Sequence, residues 1–287
     1  MDPSTYGSSI TADTGLGVSN NLWQQGGGCP RDQIRNGYTR GIYYDNDYTN
    51  VGFIGTQTTE IAVGDSGLKV FNSGAGTVVG KSAVNSVEMM GGFLAIALAD
   101  DNDSGTFAQS YPSFLLTGNE STSGKLWFEH RMCFTHILTN GIGWICGLAE
   151  TELWTLATGV PMNGGDALTN AAGFIGWNKL EDGLGVINTC KNDRATSAPT
   201  AIQATVGSVA AFEFFKLGMF YDPGNSAECI RFYFNGIQSS TVVSKATLQA
   251  YTHIDANALG FIFASVQDSG AATESFHDWT RIYQLCP

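Results

Sequence analysis

Hydrolytic chemistry needs particular side chains at particular spacings, and the chain offers ten glutamates and four histidines to search. Retaining hydrolysis of a glycosidic bond requires two carboxylates about 5 Å apart across the scissile bond. On a β-strand, residues i, i+2 and i+4 line one face, so such a pair would show as acids at alternate positions. No glutamate here is followed two residues later by an aspartate. Glu150-Thr151-Glu152 comes nearest, and it reads as two solvated carboxylates at a strand end. Gly64-Asp65-Ser66-Gly67 has the residue types of a serine nucleophile loop. A trypsin-like chain runs His, then Asp, then Ser, but His130, His136, His253 and His277 all follow Ser66, so the segment reads as a turn. Asp100-Asp101-Asn102-Asp103-Ser104-Gly105 offers oxygen ligands at calcium-loop spacing. Tyr111 stands where an EF-hand has its twelfth-position acid, so an Asx-capped turn is expected instead.

His130 lies mid-strand on an apolar face and is expected to be a core histidine with one nitrogen bonded to backbone. His136, six residues on, is too far along that face to share a metal with it. His277 and Asp278 are neighbours on a strand and so point to opposite faces. These observations predict a non-enzymatic chain with no catalytic residue, no cofactor and no metal site.

The elements that carry these residues are short apolar runs separated by turn signals. The 287 residues include 36 glycines, and only 14% are charged, well under the usual quarter or so. That composition favours strands over helices. Low surface charge also fits a protein packed into an assembly, since charges are depleted at the core of contacts. Strands are predicted at 51–55, 60–63, 69–72, 76–80, 92–97, 173–177, 184–189, 200–205, 213–221, 229–234, 237–243, 260–265 and 275–285. The clearest alternation is Lys125–Ile137. Leu126, Phe128, His130, Met132 and Phe134 share one face of a long half-buried strand, with Trp127, Glu129, Arg131, Cys133 and Thr135 on the other. Gly141–Glu150 is expected to be its antiparallel partner. Asn235-Gly236, between two apolar runs, is the strongest hairpin signal. Trp127, Trp144, Trp177 and Trp279 fall on these strands and are expected in the core. Trp154, in the long loop 150–170, is the tryptophan placed for contact.

Residues 1–40 form an irregular N-terminal arm ahead of one domain, 41–287. Trp23, Ile34 and Tyr38 are too apolar for a free tail; they either dock on something larger or pack back on their own domain. The balance of 14 basic against 26 acidic residues, a net charge of −12, argues for no nucleic acid partner. The longest apolar stretch, near Gly91–Ala99, is far short of the ~20 residues a spanning helix needs, so no membrane insertion is expected. The N-terminal residues show no secretory signal. The six cysteines include no C-x-x-C pair and are expected to be reduced, mostly buried thiols.

Several segments occur in a recognisable order: LWFEHRMCF from Leu126, ICGLAETEL from Ile145, FIGWNKLEDG from Phe174, FFKLGMFYDPGN from Phe214, IRFYFNGIQ from Ile230 and DWTRIYQL from Asp278. IYYDNDYTN from Ile42 and LADDNDSGTFAQ from Leu98 precede them. Over roughly residues 20–287 the chain resembles phage capsid cement or decoration proteins with a concanavalin A-like jelly roll. The resemblance implies an all-β jelly-roll β-sandwich on the outer capsid surface of a virion, made in the host cytoplasm. It also implies the major capsid protein as partner and self-association as a homotrimer. In that role Trp23, Ile34, Tyr38 and Trp154 would be contact residues. A carbohydrate-binding module, with a glycan as partner, is the second function expected, and a glucanase the third.

Overall fold

A computed structural model describes residues 17–48, 54–56, 61–63, 67–73, 77–79, 94–98, 104–137, 142–150, 173–180, 185–193, 199–267 and 273–287. The first strands are β1 (Gly41–Asn46), β2 (Ile54–Thr56), β3 (Ile61–Val63), β4 (Leu68–Ser73), β5 (Thr77–Val79), β6 (Leu94–Leu98) and β7 (Ser104–Ser110). The middle of the chain gives β8 (Leu126–Phe134), β9 (Ile142–Ala149), β10 (Gly173–Lys179), β11 (Val186–Asp193) and β12 (Thr200–Ser208). The last are β13 (Phe215–Tyr221), β14 (Ile230–Phe234), β15 (Ile237–Val243), β16 (Gly260–Gln267) and β17 (Thr273–Leu285). Short helices are α1 (Asn20–Trp23) and α2 (Arg31–Arg35) in the arm, and α3 (Lys245–Gln249) and α4 (Thr252–Ala256) between β15 and β16.

The strands form two antiparallel sheets. One runs β15-β14-β13-β8-β17-β6-β5-β2, with β1 also on β17; the other runs β12-β11-β10-β9-β16-β7-β4-β3. Their facing apolar residues make one core, including Phe128, Phe134, Trp144, Trp177, Phe215 and Phe263. The period-two pattern dictates this: alternate side chains of each strand meet between the sheets. The Asn235-Gly236 hairpin forms as read. Both residues adopt positive φ, 49° and 74°, and the turn joins Phe234 to Ile237 in register, the geometry that favours Asn-Gly. All six cysteines are free thiols, four of them buried.

Two expectations for the long strand fail. β9 is not the neighbour of β8. β8 lies between β13 and β17, and β9 lies between β10 and β16 in the other sheet. The thirteen-residue β17 pairs with β8 over Ser275–Gln284, a longer ladder than sequence-adjacent β9 could offer. Phe134 and Trp144 instead stack across the interior, with ring centroids 5.6 Å apart. Nor is β8 half-buried: all nine residues are buried. The sandwich covers one face; on the other, the arm covers Trp127 and Glu129 while Phe214 lies by Arg131 and Cys133. Leu22, Trp23 and Ile34 pack on Trp127, Phe220, Tyr233 and Tyr283. Gly218 makes room for the arm, because a Cβ there would lie 2.7 Å from the Leu22 side chain. Strands β1 and β7 and the four short helices were not foreseen as elements.

Candidate functional site

The carboxylates nearest the sheets are engaged by the chain itself. Glu129 projects from β8 beneath the arm and is fully buried. It accepts the Ser19 N–H at 3.0 Å and the Trp23 indole N–H at 2.7 Å. Burial raises its pKa, and those bonds and the Lys216 charge oppose the rise. Lys216, also buried, donates to the Gly17 carbonyl at 2.5 Å. Arg131 donates to Asp278 at 2.6 Å and lies 3.9 Å over the Phe214 ring. Burial raises the Asp278 pKa against the pull of Arg131. Glu150 corrects an expectation. It is buried, not solvated, and accepts the Gly173 N–H at 2.9 Å. The absent side chain of Gly173 permits this, since a Cβ would meet the carboxylate at 2.2 Å.

The inward face of β8 meets a chain of neutral polar groups. The Tyr48 hydroxyl is 2.5 Å from the Thr280 hydroxyl, which is 2.7 Å from His130 Nδ1. His130 Nε2 is 3.0 Å from His277 Nδ1, and His277 Nε2 is 3.0 Å from the Ser275 hydroxyl. His130 is thus a core histidine, with the Trp279 backbone close enough to act on the ring as expected; the expectation did not name its side-chain partners Thr280 and His277 on β17. Burial pushes the His130 pKa down to about 3 and drives that of His277 well below the usual histidine range. Both are neutral inside the fold. His277 points inward while Asp278 points outward to Arg131, as strand alternation requires. A register shift between His277 and Trp279 is a β-bulge that turns Trp279 outward as well.

One open surface among the described residues lies where β1 pairs with β17. Their outward residues alternate in register: Tyr43 opposite Tyr283 and Asp45 opposite Arg281. Tyr43 is 49% exposed and stacks on Tyr283, with centroids 5.6 Å apart and planes 13° from parallel. The Tyr283 hydroxyl donates to Asp45. Arg281 lies 4.7 Å over the Trp279 ring and bonds Asp47 at 3.0 Å. Its Nε comes within 3.4 Å of Asp45, close enough for charge attraction but unaligned for a hydrogen bond. The strip therefore offers an aromatic face, a guanidinium and an exposed carboxylate along one sheet margin.

Of the contact residues expected from sequence, Trp23 and Ile34 are buried against the chain's own sheet. Neither is presented to a partner in this state. Tyr38 is 85% exposed in the turn after α2. Trp154 lies outside the described residues, as do Gly64–Ser66 and Asp100–Asp103. No cluster of three or more metal-ligating side chains occurs among the described residues, and no helix among them is long and apolar enough to cross a membrane. The β1–β17 strip was missed because β1 has no clean alternation. Its signal was the pair of acids and aromatics in Tyr43-Tyr44-Asp45-Asn46-Asp47.

No family model matches the chain, and no curated protein does. Its fold does have solved relatives. Peanut lectin is similar with a TM-score of 0.55 at 10% identity, over 86% of this chain and 99% of the lectin. The carbohydrate recognition domain of Emp46p gives 0.52 at 9% identity, over 83% of this chain and 95% of that domain. An endo-1,3-beta-glucanase from Streptomyces sioyaensis gives 0.46 at 15% identity, over 68% of this chain and 77% of the enzyme. At these identities the likeness speaks to fold alone: the protein is an all-β jelly-roll sandwich of the lectin or concanavalin A-like kind.

Proposed function

We propose that the chain is a non-catalytic binding protein and that its role is to decorate a phage head shell, docked on the major capsid protein. The observation behind the non-catalytic part is the commitment of Glu129, Glu150 and Asp278 to the chain's own donors. Carboxylates held this way lack the free pair that hydrolysis requires. The head-shell partner comes from the ordered sequence motifs. Many modest surface contacts, multiplied by self-association, would supply the affinity. The test is co-sedimentation of the purified protein with shells assembled from the major capsid protein alone. Saturable binding that raises the shell's melting temperature is expected; absence of binding at micromolar concentration counts against the role.

A second reading is glycan binding by the β1–β17 strip. The exposed Tyr43 ring, stacked on Tyr283 and flanked by Asp47 and Arg281, favours it. Aromatic faces pack against apolar sugar faces while polar neighbours bond hydroxyls. A glycan array would give a specific hit that Tyr43→Ala abolishes. A blank array removes this reading and leaves the first untouched.

A further inference from the structure

Three buried polar side chains inside the sandwich make no hydrogen bond to any described residue: Thr106, Ser265 and the indole N–H of Trp144. Each residue is at most 1% exposed. Buried polar groups are ordinarily partnered, because an unmade hydrogen bond leaves the full cost of desolvation standing. Ser19, Trp177, Asp255 and Arg281 also carry unpartnered buried atoms, but those residues lie on the arm, β10, α4 and β17. The first three instead form one row. Ser265 on β16 stands opposite Thr106 on β7 and, on its other side, opposite Trp144 on β9. Directly opposed residues point to the same face of a sheet, and Trp144 points into the core.

The facing sheet presents Ser275 to this row, and two contacts fix that placement. Phe134, opposite Ser275 on β8, stacks on Trp144, which is opposite Ser265. His277 packs edge-on against Phe263 with ring centroids 4.3 Å apart, and each of these rings lies two residues from its serine on the same face. Ser275 also ends the neutral chain, its hydroxyl 3.0 Å from His277 Nε2. A hydroxyl has one donor and two acceptor sites, so this one has further bonds to make. Facing sheets stand about 10 Å apart, a gap that two short serine side chains do not fill.

We propose that this place is a binding site for ordered water, bridging Thr106, Trp144, Ser265 and Ser275. The donor set fits. An indole can only donate and a hydroxyl can do either, so a water that accepts from Trp144 can bond the hydroxyls in whichever sense they require. Buried water typically makes about three hydrogen bonds to groups that the chain leaves unsatisfied. An apolar occupant would leave all of them unpaired. The seam of hydrogen bonds then runs from Tyr48 through Thr280, His130, His277 and Ser275 across to β16, β7 and β9. It ties the two sheets by polar contacts at a level where Phe134 and Trp144 tie them by stacking. The inference goes beyond the shell-docking and glycan readings and does not depend on either.

A high-resolution crystal structure of the full chain reads the site directly. Water density is expected within hydrogen-bonding distance of at least two of the bridged groups. Thermal melting supplies the second measurement. Thr106→Val keeps the shape of the side chain and removes one partner. With water in place it should lower the melting temperature by about 2–4 °C, because the water and its remaining partners lose a bond. Ser265→Ala should act in the same direction and gives a second variant should the first fail to fold. In a dry interior the sign reverses, since Thr106→Val then removes an orphaned hydroxyl and holds or raises the melting temperature. An interior without water density at this place, or a Thr106→Val chain at least as stable as the wild type, overturns the proposal.

Discussion

The two faces of β8 are equally buried and chemically opposite. Its inward residues face the second sheet, where the polar members His130, His277, Thr280 and Tyr48 form a neutral chain of hydrogen bonds. Its outward polar residues are ionisable: Glu129 under the arm with Ser19 and Trp23, and Arg131 beside it with Asp278 of β17. The difference follows from what covers each face. A sheet offers a continuous apolar wall, so charge there is prohibitive and neutral polar groups must satisfy one another. A short irregular arm brings unpaired backbone donors and an indole N–H, and a carboxylate accepts them well.

Acid should separate the two faces most strongly. The folded-state pKa values of His130 and His277 are depressed by burial, so the unfolded chain takes up protons first as pH falls below about 6.5. Stability is therefore lost from there downward, by about 2 kcal/mol per histidine at pH 5. Glu129 and Asp278 have raised folded pKa values. Their contribution has the opposite sign, since the folded state gains protons before the unfolded one and is relatively favoured as pH falls. Urea midpoints at pH 7.5 and pH 5 should show the histidine loss dominating. Removing the titrating pair with His130→Gln and His277→Gln should flatten the acid limb, whatever it does to stability at pH 7.5. An unchanged slope would mean that the neutral chain does not respond to acid.

The arm face is broken more locally. Glu129→Ala leaves the Ser19 N–H and the Trp23 indole N–H without their acceptor, at a cost of about 3 kcal/mol. The loss should fall on the docking of residues 17–40 more than on the sandwich. Limited proteolysis should cut within the arm while the remaining fragment keeps its melting transition. Co-operative loss of both would show that the arm and the sandwich are one unit.

The same strand marks how much was legible beforehand. Strand positions were readable because period-two alternation is a local property, and Asn235-Gly236 was readable because a two-residue turn is decided by φ alone. Which strands pair was not. β8 and β9 adjoin in sequence, yet β17, some 140 residues on, takes the edge, because ladder length and burial are settled by the whole fold. For the same reason the pairing of His130 with His277 was invisible: each residue looked like an isolated histidine. The arm was readable as apolar but not as a cover, since nothing in Trp23 or Ile34 says which surface will receive it. A strand beginning at Gly173 was readable, but not that Gly173 would lie opposite Glu150 and leave room for its carboxylate.

A smaller contrast within the other face tests the hairpin. Asn235 holds positive φ and accepts the Lys216 N–H at 2.8 Å, so the turn and the neighbouring strand share one residue. Asn235→Ala loses that bond and strains the turn, and should lower stability by about 1–2 kcal/mol in chemical denaturation.

Thr205 supplies the reverse case on β12, which ends its sheet. It is β-branched, exposed, and at φ 55°, a conformation sterically disfavoured for such a residue. Its N–H is already accepted by Asn188 at 3.0 Å, and a substitution keeps that bond. Thr205→Gly relieves the steric cost but adds freedom to the unfolded chain, and the two terms oppose each other. The left-handed penalty for a β-branched residue exceeds glycine's entropic cost, so a net gain of up to about 1 kcal/mol is expected. A loss on thermal melting would show that the Thr205 side chain makes a contribution greater than the strain it bears.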